Sequence, residues 1–90
     1  MALSDLSDIT VTVRYFAGAR AAADRDEERV RLPGGATVQA LVDHLVGEHG
    51  PGLARVLAAS SFLVNEVAGA RDRPLHDGAG VDVLPPFAGG

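Results

Sequence analysis

A single long helical stripe limits what this 90-residue chain can fold into. Val38, Leu41, Val42, Leu45 and Val46 recur at i, i+3, i+4, i+7 and i+8, the spacing that lines one face of an amphipathic helix. Thr37 stands at the N-cap position and Gly50-Pro51 ends the run. Leu53, Val56 and Leu57 add a short helical turn. One main helix cannot bury its stripe alone, so the rest of the chain must supply the opposing layer.

That layer reads as strands. Ile9 to Tyr15 alternates apolar and polar residues and is rich in β-branched side chains, with Ile9, Val11, Val13 and Tyr15 on one side. Glu28-Arg29-Val30-Arg31-Leu32 alternates again and stops at Pro33-Gly34-Gly35, returning antiparallel to the first strand. Between them, the alanine-rich run to Ala23 and the charged stretch Asp24 to Arg29 read as a loop with room for a helical turn. Phe62 to Asn65 reads as a third strand, Glu66 to Arg73 as a loop or weak strand, Pro74 to Gly78 as a turn and Val81 to Leu84 as the last strand.

Strand, strand, helix, strand, strand in so short a chain predicts an α+β fold, a mixed sheet packed on one main helix. With the first and last strands side by side at the sheet centre, this is the β-grasp, or ubiquitin-like, fold. The organisation expected is a flexible N-terminus over residues 1–8, a β-grasp domain over 9–84 and a C-terminal tail over 85–90.

The tail is Pro85-Pro86-Phe87-Ala88-Gly89-Gly90. Two glycines carry no Cβ, so such a terminus can thread a channel closed to other residues and present an unhindered carboxylate. Pro85 and Pro86 favour an extended approach, and six extended residues reach at most about 20 Å. Phe87 is a single aromatic among small residues, suited to anchoring in a partner pocket or to capping its own core. Tyr15 and Phe16 point to opposite sides, and Phe16 is the one expected in an exposed patch for the partner.

Composition narrows the chemistry. The net charge is −4 and the basic residues are scattered, which gives no footprint for nucleic acid. Cysteine is absent, which excludes disulfides, thiolate metal sites and a cysteine nucleophile, so any sulfur chemistry must use the terminus. His44, His49 and His76 are scattered and form no metal motif. Asp24, Asp26, Glu27 and Glu28 read as a solvated acidic face. Neither a secretion signal nor a run long enough to span a membrane is evident, so the expected location is the cytoplasm.

Four pieces carry a family resemblance: Val13 to Arg20, Leu32 to Val38, Leu63-Val64-Asn65, and Asp82 to Gly90. Together they resemble the small, sulfur-carrying subunit of molybdopterin synthase, the MoaD branch of the MoaD/ThiS sulfur carriers. Two departures lie in loops: Glu66-Val67 stands where the family often has Gly-Glu, and Gly80 lies where an acidic residue is usual.

The resemblance implies that Gly90 is the reacting residue. A carboxylate resists nucleophilic attack, so exchanging its oxygen for sulfur needs ATP. This chain has no phosphate-binding loop and no lysine, and no bound cofactor is expected. An adenylating, E1-like enzyme would supply the nucleotide site and convert Gly90 to an acyl-adenylate, then to a thiocarboxylate, with Gly89 keeping the approach clear. The large synthase subunit would receive the tail through Pro85, Pro86, Phe87 and Ala88, and sulfur would pass to cyclic pyranopterin monophosphate. The chain is then a sulfur-donating subunit rather than a complete catalyst. The alternatives are a ThiS-like carrier for thiazole, cysteine or another sulfur metabolite, a ubiquitin-like modifier of other proteins, and an interaction domain whose Gly-Gly end is incidental.

Overall fold

Alternation in the first strand is matched residue by residue in the structure. A computed structural model describes residues 8–86. Ile9, Val11, Val13 and Tyr15 of β1 (Asp8–Tyr15) are buried, whereas Thr10 and Arg14 are exposed. The chain continues through α1 (Ala17–Ala23), β2 (Glu27–Pro33), α2 (Val38–His49), α3 (Pro51–Ala59), β3 (Ser61–Val64), β4 (Val67–Ala68) and β5 (Gly80–Leu84).

The five strands form one mixed sheet in the order β2-β1-β5-β3-β4. β1 pairs antiparallel with β2 and parallel with β5, while β3 pairs antiparallel with β5 and with β4. The first and last strands are therefore neighbours at the centre, the β-grasp arrangement expected from the element order. Val30, Leu32, Phe62, Val64, Val81 and Val83 turn to the same side as the buried β1 residues and join one core with Leu41, Leu45, Leu53 and Leu57 of the helices. Helices cover this face of the sheet, and among the described residues no element covers the other.

Helix α2 has the predicted cap: Thr37 Oγ1 accepts a hydrogen bond from the Ala40 N–H at 3.2 Å, satisfying one of the unpaired donors of the first turn. Two stretches are more helical than expected. Ala17–Ala23 is a full helix rather than a loop, because Ala19 and Ala23, one turn apart, bury their methyls in the core. Leu53 and Leu57 do the same for α3, which runs nine residues with Pro51 in its first turn, where a missing N–H does no harm.

Candidate functional site

The tail root is the end of the central strand. Val81 and Val83 are fully buried, and β5 is held on both sides, Val83 opposite Tyr15 of β1 and Leu84 opposite Ser61 of β3. The ladder stops there because Pro85 and Pro86 have no N–H to donate. Pro85 is half-buried and Pro86 exposed. Phe87, Ala88, Gly89 and Gly90 lie outside the described residues.

Parallel pairing of β1 and β5 places Phe16, one residue past Tyr15, at the same end of the sheet as Leu84. Phe16 is 39% exposed, and among the described residues only Val67 is another large apolar side chain with such exposure. The guanidinium of Arg14 lies 6.0 Å from the centre of the Phe16 ring, within cation–π range. Arg14 in turn donates from Nε to Asp82 Oδ1 at 2.7 Å and from Nη2 to Asp82 Oδ2 at 3.0 Å. Those hydrogen bonds and the Asp82 charge raise the Arg14 pKa further above its already high ordinary value. The root of the tail is thus flanked by Phe16 and, one row further along the uncovered face, by a clamped ion pair.

Further along that face, Arg14 and Asp82 share a cavity of about 290 Å³ with Asn65, Glu66 and Gly80. Asn65 and Glu66 form the two-residue turn between β3 and β4, both at positive φ, 49° and 70°. Asparagine tolerates that conformation, whereas glutamate loses roughly 1 kcal/mol in it. The turn is bolted to β5: the Asn65 N–H donates to the Gly80 carbonyl at 2.8 Å, and the Gly80 N–H donates to Asn65 Oδ1 at 2.9 Å.

On the helix side, Glu28 departs from the solvated reading. It shares a face with Val30 and Leu32, and its Oε2 accepts from the Tyr15 hydroxyl at 2.5 Å and contacts His49 Nε2 at 2.6 Å. Burial pushes the Glu28 carboxyl up, but the hydrogen bonds from Tyr15 and His49, with the charges of His49 and Arg25, outweigh it and leave the pKa below its ordinary value. Burial, and then the Glu28 hydrogen bond, push the Tyr15 phenol well above its ordinary range. His49 therefore ties the end of α2 to the first hairpin, while His44 and His76 are exposed. Among the described residues, no group of three or more histidines and carboxylates is placed to hold a metal ion, and no helix is long and apolar enough to cross a membrane.

Sequence reasoning pointed to the tail and Phe16 but missed Arg14, Asp82 and the Tyr15–Glu28–His49 cluster. A usable signal existed for the first pair: both residues have the parity opposite to the apolar positions of two strands expected to be adjacent. No comparable signal brings His49 to Glu28.

Comparisons with known proteins agree with this architecture. No curated protein sequence matches the chain. Among solved structures, one assigned as molybdopterin converting factor subunit 1 from Pyrococcus furiosus is 30% identical with a TM-score of 0.75, covering 88% of this chain and 99% of that one. SAMP1 from Haloferax volcanii, a small archaeal modifier protein, is also 30% identical, with a TM-score of 0.80 over 90% of this chain and 99% of that one. Helicobacter pylori molybdopterin-converting factor, solved as a complex of subunits 1 and 2, shares the fold at 23% identity and a TM-score of 0.64, over 91% of this chain and all of that one. The model of the ThiS family matches residues 13–90, so the chain belongs to the ThiS family of ubiquitin-like sulfur carriers.

Proposed function

We propose that this chain is the sulfur-carrying small subunit of a molybdopterin synthase, with the Gly90 carboxylate as the group that is activated and sulfurated. One observation carries the reading: a ThiS-family match that runs through Gly89-Gly90 follows a Leu-Pro-Pro exit from the central strand. A strand clamped on both sides cannot itself enter a partner, so in this reading the prolines begin the segment that does.

In this reading an E1-like enzyme joins the Gly90 carboxylate to AMP from ATP, releasing pyrophosphate, and a sulfur donor displaces AMP to leave a terminal thiocarboxylate. The large synthase subunit then takes the tail and the sulfur attacks the pterin precursor. This chain contributes the reagent, the stiff approach and a docking surface beside Phe16. It needs no cofactor of its own, and the reaction belongs to the cytoplasm.

The same similarity to SAMP1 supports a second reading, attachment of Gly90 to amines of other proteins. One experiment separates them. The intact mass of the chain recovered from its own host, with and without the activating enzyme, is expected to show replacement of one oxygen by sulfur, and the sulfurated chain with the large subunit is expected to convert the precursor. Conjugates of high mass without conversion of the precursor would favour the modifier; neither sulfur nor conjugates would remove both readings.

A further inference from the structure

Glu66 offers an exposed carboxylate that the described fold does not use. It stands at φ 70°, where glycine would be unstrained, it is exposed, and among the described residues it accepts no hydrogen bond. Its surroundings are nonetheless rigid, because the neighbouring Asn65 is hydrogen-bonded twice to Gly80. The two-residue hairpin turn accounts for the positive φ, and it leaves a carboxylate without a hydrogen bond among the described residues open to a group from outside the chain.

The site around it fits a cation. Arg14 attracts Glu66 through space, but its guanidinium fork is already engaged by both oxygens of Asp82. Two carboxylates against one arginine leave one negative charge uncompensated at the cavity that Arg14, Asn65, Glu66, Gly80 and Asp82 line. A carboxylate with free lone pairs favours a guanidinium or ammonium group brought by a partner. The cavity also belongs to the uncovered face that leads through Arg14 and Phe16 to the tail root, so a protein that takes the tail and rests on this face reaches it.

We infer that Glu66 is a partner-selecting residue, whose carboxylate pairs with an arginine or lysine of the large synthase subunit when that subunit takes the tail. The inference rests on the molybdopterin reading for the identity of the partner. The pair lies at the rim of the contact, so it acts on association rate and salt dependence more than on the chemistry at Gly90.

The test is titration calorimetry of the large subunit with wild type, Glu66→Gln, Glu66→Gly and Glu66→Arg at low and high salt, together with thermal unfolding of each. Glu66→Gln and Glu66→Gly are expected to weaken binding about fivefold at low salt, and Glu66→Arg more, with the differences shrinking as salt rises. Glu66→Gly is expected to raise the melting temperature by about 5 °C while it weakens binding, a combination that loss of structure cannot produce. Variants that bind as tightly as wild type overturn the inference and leave the molybdopterin reading standing. Wild type that neither binds the large subunit nor supports conversion overturns both.

Discussion

Arg14 grips Asp82 with two parallel hydrogen bonds across the parallel pair of central strands, and the two partners differ in their access to water. The Asp82 side chain is 10% exposed and that of Arg14 47%. Removing the arginine leaves a buried carboxylate unpaired, whereas removing the carboxylate leaves an arginine that water can reach. Arg14→Ala is therefore expected to lower the urea midpoint more than Asp82→Ala, with the double variant less destabilised than the sum. Equal losses would mean that water already satisfies Asp82.

Gly69 is expected to resist substitution for a reason of space alone. A Cβ at this position would lie 2.9 Å from Cγ2 of Val64, closer than side chains approach, and Val64 is buried. Gly69→Ala is expected to cost about 1–3 kcal/mol in chemical denaturation, the usual range for an overpacked core. Val64→Ala removes the clashing methyl, so the penalty of Gly69→Ala measured in that background shrinks. A penalty unchanged by Val64→Ala would place the cause elsewhere.

How much could be read in advance follows the range of each signal. Alternation in Ile9–Tyr15 and the stripe from Val38 to Val46 report on neighbours two to four residues apart, and both elements appear where expected. Helix α1 was obscured because alanine is small in any setting: only the burial of Ala19 and Ala23 against the core turns a weak propensity into a helix, and Phe16 provides no side-chain cap to announce it. Glu28 reads as solvated because it lies within the charged run Asp24 to Arg29, yet its parity with Val30 and Leu32 places it on the buried face. Its contacts with Tyr15 and His49, 13 and 21 residues away, depend on how the hairpin meets α2, which local patterns do not encode.

Glu28 also sets an acid limit on stability. Its carboxyl titrates near 4.5 when unfolded and lower when folded, so below that value the unfolded chain binds the proton more tightly. The stability it contributes is complete above pH 4.5 and is lost as pH falls through the folded value. Glu28→Gln is expected to be less stable than wild type at neutral pH and to lose less on acidification, so the two curves of urea midpoint against pH converge below about 4.5. Curves that stay parallel would exclude Glu28 as the titrating group.

The tail predicts a separation of stability from activity. Gly90 has no side chain to pack, so deleting it is expected to leave the unfolding midpoint unchanged, within about 0.5 kcal/mol. The same deletion is expected to abolish sulfuration and transfer, since the activated carboxylate would then belong to a residue one position too short to reach the same catalytic groups. Gly89→Val retains the length but adds a branched side chain where the proposed channel admits none, and is expected to reduce adenylation by at least about 100-fold, the scale on which a misplacement near 1 Å acts. Adenylation and transfer by Gly89→Val at wild-type rates would show that the partner's channel is wide, and would move the reason for the terminal glycines from steric access to chain flexibility.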